Sequence, residues 1–133
     1  ENGPAFERAL GSEIEGSGSL WGDPGQVMRL RREDWQQNKA RPSAEDLVSS
    51  PPGPSVTVPR GHQFPAAFLI AVSGLDAHGS DSESPLPFCH LDIAGSACEG
   101  GDWQFGKPTA APLMALVGAY LAGGQMACSD PDE

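Results

Sequence analysis

The sequence predicts an α/β fold arranged as helix, strand and helix, with the strand over residues 88–94 at its centre. The two most apolar segments of the chain, 61–75 and 108–122, carry apolar residues at helical spacing. Between them, apolar and polar residues alternate over 88–94 in the manner of a short strand. Helical and strand segments that alternate along a chain are typical of crossover connections in α/β domains. We therefore expect both helices to pack against the strand.

Composition limits both the size of the core and the classes of partner. The chain has 133 residues, enough for one small domain, with a formal charge of −10, 17 glycines and 13 prolines. Such a loop-rich, acidic chain lies close to the boundary at which too little apolar surface is available for a self-sufficient core. The acidic balance argues against binding to nucleic acid and to anionic membrane surfaces.

The cysteines and the apolar stretches indicate in which cellular compartment the protein resides. Cys89, Cys98 and Cys128 are too few and too widely spaced for a disulfide framework or a zinc finger, and unpaired thiols suit a reducing environment. No apolar stretch reaches the ~20 residues that a membrane helix requires, and the start has no signal-peptide pattern. We expect a cytoplasmic protein, and because the chain starts at Glu1, a processed product or a fragment.

Two helices are expected in the first third of the chain. Residues 2–15 form the first, with Asn2 as its cap and Pro4 in its first turn, and Gly16–Ser19 ends it. Residues 26–38 form a weaker second helix, whose charged side we interpret as solvated. Five prolines mark residues 39–60 as a surface loop.

The remaining elements surround the predicted strand. Segment 61–75 is apolar nearly all round, which is typical of a buried helix. A glycine-rich loop covers 98–107, and Thr109 is expected to cap the last helix, which ends at Gly123. Residues 125–133 form an acidic tail.

His90 and Asp92 lie on the same side of the predicted strand and allow two interpretations. They could act as a metal-binding or acid–base pair. Alternatively, they form a buried structural pair bonded to each other or to the backbone, as buried polar groups usually are. We favour the structural interpretation. Cys89 and His90 do not form a catalytic dyad on a strand, because neighbouring side chains point to opposite faces.

A motif and its surroundings resemble a known family. The string H-L-D-I-A-G runs from His90 to Gly95, after the extended segment Pro85-Leu-Pro-Phe88. Gly106-Lys-Pro-Thr109 precedes the last helix, and Gly61 to Ile70 matches the helix before the strand. In this order the segments resemble the leucyl aminopeptidase family, most closely an animal branch of it, over essentially the whole chain.

The resemblance implies that residues 1–133 are the C-terminal part of a mixed-sheet, zinc-exopeptidase-like catalytic domain. Members release N-terminal amino acids from peptides with two divalent metals, zinc or manganese, and assemble as hexamers. Their metal ligands and catalytic groups lie in motifs of the forms K-G-x-x-F-D-[ST]-G-G and N-T-D-A-E-G-R, neither of which occurs here. We therefore expect no catalytic residue and no metal ligand in this chain, and an inactive isolated chain.

The resemblance also implies a modest set of site residues. Ala94 and Ala97 correspond to positions that line the pocket for the substrate's first side chain, and His90, Asp92 and Gly95 form the structural motif. The expected partners are a peptide substrate and further copies of the protein, without nucleic acid or membrane. The alternative is a non-catalytic interaction module derived from the same fold.

Overall fold

The computed structural model describes residues 1–41, 43–54, 56–94, 96–99 and 106–122. The chain divides into two compact units, which are described separately. Unit 1 comprises Glu1–Ala9 and Met28–His90, and unit 2 comprises Leu10–Val27 and Leu91–Glu133. The described residues form a small mixed helix–strand architecture, which is compatible with the α/β class.

Five α-helices and one short sheet are present in the described residues. The helices are α1 (Gly3–Glu7), α2 (Leu10–Trp21), α3 (Arg32–Gln36), α4 (Phe64–Val72) and α5 (Leu113–Val117). Short 3₁₀ segments occupy Gly61–Gln63 and Leu75–His78, and a π-helical turn, Gly118–Ala122, continues α5. Strands β1 (Cys98–Glu99) and β2 (Lys107–Pro108) pair antiparallel, with Cys98 opposite Pro108.

Helix α1 starts where the sequence predicts. The side-chain oxygen of Asn2 accepts a hydrogen bond from Ala5 N at 3.1 Å, and Pro4 stands in the first turn. The predicted single helix over 2–15 is wrong, because Ala9 adopts a positive φ of 56° and interrupts it. A second helix then begins at Leu10 and passes through Gly16–Ser19 to Trp21. A positive φ at alanine is costly, so surrounding structure rather than local propensity sets this break.

The helix predicted over 26–38 is confirmed only for Arg32–Gln36. Backbone groups before it bond to distant partners instead of to a helical turn. Met28 O accepts from the amino group of Glu1 at 3.3 Å, and Arg29 O accepts from Arg60 Nη2 at 2.9 Å. The loop predicted over 39–60 is confirmed for its described residues, apart from an isolated bridge between Lys39 and Leu47.

Helix α4 forms the apolar centre of unit 1. Its buried residues are Phe64, Ala66, Ala67 and Ile70. The prediction that the helix is buried all round is wrong, because Leu69 and Val72 are 39% and 56% exposed. A helix in so small a unit has neighbours on one side only, so apolar composition alone overestimates its burial.

The strand predicted over 88–94 is wrong. These residues form no regular strand, and a turn follows at Ala94. Phe88 bonds instead to Asn2, whose N donates to Phe88 O at 3.1 Å and whose Oδ1 accepts from Phe88 N at 2.9 Å. A strand needs a partner strand for its amide groups, but those of Phe88 bond to Asn2, while Pro85 and Pro87 carry no N–H. A helix–strand–helix arrangement around residues 88–94 is therefore not observed.

Helices α2 and α5 pack together in unit 2. Ile14 of α2 joins Ala115, Leu116 and Ala119 in an apolar cluster. Asp23 Oδ2 accepts from Ala115 N at 3.1 Å and so satisfies a free amide in the first turn of α5. The last helix starts at Leu113 rather than near residue 108, since the Thr109 hydroxyl accepts from Ala111 N and caps a turn before the helix.

Several sequence-based expectations concern residues that the structure does not describe. Gly123, where the last helix was expected to end, the tail over 125–133 and most of the glycine-rich loop are not among the described residues. Within the described part of the chain, no helix is long and apolar enough to cross a membrane.

Candidate functional site

A pocket of about 360 Å³ opens in unit 1. Leu30, Trp35, Ile70 and Leu75 form its apolar lining. Ile70 of α4 is only 2% exposed, whereas Leu30, Trp35 and Leu75 are half-buried, so the pocket is lined by core residues. A pocket of this size with an apolar lining and a few polar groups is typical of a small-molecule site.

The charged side chains of Glu1, Arg29 and Asp76 also line this pocket. Arg29 and Asp76 belong to its lining, and both are exposed, so they form a charged rim above the apolar residues. In the described part of the chain they are not within the 4.0 Å of an ion pair with each other.

Arg29 is held by two contacts. Its guanidinium carbon lies 3.7 Å from the centre of the Phe6 ring, a cation–π arrangement. Its carbonyl oxygen accepts the hydrogen bond from Arg60 Nη2. The first contact restricts the guanidinium of Arg29, and the second fixes its backbone.

The Arg60 side chain is fixed by a buried carboxylate. Asp34 is fully buried, and its Oδ1 and Oδ2 accept from Arg60 Nε and Nη2, each at 2.8 Å. Asp34 Oδ2 also accepts from Arg31 N at 2.7 Å. Burial raises the pKa of Asp34, but the hydrogen bonds from Arg60 and Arg31 and the charges of these arginines outweigh it and hold the pKa below its ordinary value.

The structure does not form the buried His90–Asp92 pair that the sequence predicts. Asp92 is exposed, and its Oδ1 accepts from Ala94 N at 3.1 Å within a turn. His90 is half-buried. The expectation of burial rested on a strand, and without the strand the Asp92 side chain bonds to its own backbone, as aspartate commonly does in turns. Gly95 lies outside the described residues.

Ala94 and Ala97 lie in unit 2 and do not line the pocket of unit 1. Ala94 is exposed and Ala97 is half-buried. Ala97 is fixed by its backbone, since its N donates to Ile93 O at 2.9 Å and its O accepts from Thr109 N at 2.8 Å. Their role as substrate-pocket residues stays a prediction.

The described residues do not fit a two-metal centre. No group of three or more His, Cys, Asp or Glu side chains among them could hold a metal ion. Burial raises the pKa of the Cys89 thiol, which disfavours the thiolate that a metal ligand or nucleophile would need. No chemical step through a metal is therefore assigned to the described residues.

Sequence reasoning missed the pocket of unit 1. Arg29 belongs to the predicted 26–38 helix, whose charged side we interpreted as solvated. Asp76 lies in the short 3₁₀ segment Leu75–His78. The lining residues are far apart in sequence, and no local pattern marks their proximity.

A known protein is similar to this chain over most of its length. The chain is 36% identical over 121 residues to a Caenorhabditis elegans protein described as a "putative aminopeptidase". The match covers 91% of this chain and 22% of that relative, so the chain spans about a fifth of the relative's length. No family model matches the chain. No solved structure matches it either. The chain is thus related to a protein described as a putative aminopeptidase.

Proposed function

We infer that this chain is part of a metal-dependent aminopeptidase of the leucyl aminopeptidase type, which releases N-terminal amino acids from peptides. The match to the C. elegans relative over 91% of the chain is the observation that carries this proposal. The H-L-D-I-A-G segment and the apolar helices on either side of it support it further. Within that enzyme the chain supplies scaffold and, through Ala94 and Ala97, one wall of the substrate pocket.

The metal ligands and the catalytic groups belong to other parts of that enzyme. Two zinc or manganese ions would polarise the peptide carbonyl and activate water there. This chain contains neither of the two family motifs that would hold them. Its contribution within unit 1 is to hold the segment that leads from Leu86 to Phe88, using the backbone and side chain of Asn2. We place the enzyme in the cytoplasm, acting on peptides as a homo-oligomer.

An activity assay of the isolated chain tests the division of labour. The purified 133-residue chain is incubated with a leucyl chromogenic substrate and added manganese or zinc, with and without a chelator. We expect no chelator-sensitive turnover. Robust turnover that the chelator abolishes would place the metal centre within this chain and contradict the proposal.

Exposed apolar residues of unit 2 support a second candidate, a non-catalytic interaction module. Leu113, Tyr120 and Leu121 are 57%, 55% and 81% exposed. Exposed apolar surface that is contiguous commonly marks an assembly site. Size-exclusion chromatography with light scattering distinguishes the two candidates, because a stable homo-oligomer of this chain alone favours the module.

A further inference from the structure

We propose that Ser80 is a phosphorylation site for an acidophilic protein kinase, an enzyme that binds acidic residues beyond the target serine through its own basic side chains. In the reaction the Ser80 hydroxyl oxygen forms a bond to the γ-phosphorus of ATP, and the bond from that phosphorus to the bridging oxygen breaks. ADP leaves, and the hydroxyl proton passes to a base of the kinase. The site goes beyond the proposed peptidase function and does not depend on it.

The charge pattern after Ser80 selects the class of kinase. Asp81 follows the serine directly, and Glu83 stands three positions after it. Opposite charges on an enzyme and its substrate favour the encounter and exclude wrong partners. Ser12 and Ser129 are also followed by acidic residues at both positions. The sequence alone therefore does not distinguish these three serines.

Local structure distinguishes Ser80 from Ser12. Ser80 is exposed and lies in a turn, and residues 79–90 contain no helix or strand. Ser12 is also exposed, but it lies within α2. A helical segment must lose its backbone hydrogen bonds before it can lie extended along a kinase, which costs free energy. Ser129 lies outside the described residues.

The structure also separates Ser80 from the two serines that follow it. The Ser82 hydroxyl oxygen is buried, and the Ser84 hydroxyl lies 3.1 Å from Nδ1 of His78. The Ser80 hydroxyl lies beside Gly3, where an added Cβ would collide with it. Because Ser80 is exposed, rotation about its Cα–Cβ bond turns the hydroxyl into solvent.

Single hydrogen bonds, rather than a helix or sheet ladder, hold the segment around Ser80. Ser82 N donates to Gly79 O and Leu86 N donates to His78 O, each at 3.1 Å. Surface segments held in this way open locally at a low cost in free energy. Ser80 can therefore become extended while the rest of unit 1 stays folded.

Incubation of the purified chain with ATP, Mg²⁺ and a purified acidophilic casein kinase tests the proposal. Mass spectrometry quantifies the phosphate on each serine at early times. We expect Ser80 to be modified at least about tenfold faster than Ser12, its matched control within a helix. Unfolded synthetic peptides of residues 76–87 and 8–19 should react at rates within about threefold of each other, because the helix is then absent.

Variants of exposed residues test the role of charge. Asp81→Asn and Glu83→Gln should each slow the phosphorylation of Ser80 about tenfold. The control Glu45→Gln, also exposed, should change it less than about twofold.

Three results would overturn the proposal: no phosphate on Ser80 in the folded chain, a rate at Ser12 equal to or above that at Ser80, or an unchanged rate in both Asp81→Asn and Glu83→Gln. Because none of these measurements depends on peptide hydrolysis, a negative result would leave the proposed peptidase function standing.

Discussion

Asn2 and Phe88 are joined by two hydrogen bonds, from Asn2 N to Phe88 O at 3.1 Å and from Phe88 N to Asn2 Oδ1 at 2.9 Å. The same side-chain oxygen caps α1 through Ala5 N, and Asn2 Nδ2 donates to Leu86 O at 2.8 Å. One residue thus fixes both the start of a helix and the segment that leads into His90. This contact connects parts of the chain that are 86 residues apart.

Replacing Asn2 should therefore destabilise the protein more than replacing an ordinary helix-capping residue does. Asn2→Ala removes the cap, the bond to Leu86 O and the bond from Phe88 N, but leaves the backbone bond from Asn2 N to Phe88 O. We expect a loss of about 2 kcal/mol in the free energy of unfolding. Asn2→Asp keeps the acceptor but not the donor to Leu86, so about 1 kcal/mol is expected. Urea denaturation measures both. Equal losses in the two variants would show that the side-chain acceptor contributes nothing.

The buried Asp34–Arg60 pair should contribute more to the free energy of unfolding than a surface ion pair does. Arg60→Ala leaves a buried carboxylate without its partner, and we expect it to cost about 3 kcal/mol. The control is Glu33→Gln, because the Arg31–Glu33 pair is 3.9 Å long and more than half exposed, and its loss should cost less than about 0.5 kcal/mol. Similar losses in both variants, measured by urea denaturation, would contradict this ranking.

Stability should fall in acid partly through Asp34. Its pKa is lowered in the folded state, so its contribution is fully present above the unfolded pKa of about 3.9 and is lost as the pH falls through the lower folded value. The stability difference between the wild type and Asp34→Asn should therefore shrink as the pH falls from about 6 to about 2. A difference that stays constant over this range would show that the pKa of Asp34 is not lower in the folded state than in the unfolded state.

Glycine substitutions should distinguish close packing from helix propensity in unit 2. A Cβ at Gly118 would collide with the Ser17 hydroxyl and the Trp21 ring, whereas one at Gly16 would meet no atom within 4 Å. We expect Gly118→Ala to destabilise by about 2 kcal/mol through overpacking. Gly16→Ala should stabilise α2 by about 0.5–1 kcal/mol. Thermal unfolding of both variants measures the contrast, and a stabilising Gly118→Ala would contradict the close approach of α2 and α5.

A bulky residue at position 97 should change substrate preference. The test uses a hybrid in which this chain replaces the matched 121 residues of the C. elegans relative. If Ala97 lines the pocket, Ala97→Phe should lower kcat/KM for leucyl substrates about tenfold and spare alanyl substrates. The control, Ala44→Phe, lies in an exposed loop and should affect neither. Equal effects on both substrates would show that Ala97 does not line the substrate pocket.

The sequence predicts features that depend on local chemistry. The Asn2 cap, the position of α4 and the irregular 39–60 loop follow from capping, apolar periodicity and proline content, which act within a few residues. The break at Ala9 and the passage of α2 through Gly16 and Gly18 do not, because tertiary packing sets them.

The error at residues 88–94 has the same origin. Alternating apolar and polar residues favour a strand, but a strand exists only with a partner, and no rule about neighbouring residues identifies Asn2 as the group that bonds to Phe88. The pocket of unit 1 was missed for this reason too, since Arg29, Trp35 and Asp76 meet only in three dimensions.

We propose above all that this chain is the scaffold portion of an aminopeptidase whose metal ligands lie outside it. The hybrid described above tests it most directly, through its chelator-sensitive hydrolysis of a leucyl substrate relative to the intact C. elegans protein. The account predicts that the folded hybrid hydrolyses the substrate at a rate within about tenfold of the intact relative and loses activity with chelator. A folded, metal-loaded hybrid without turnover, or an intact relative without turnover, would contradict it.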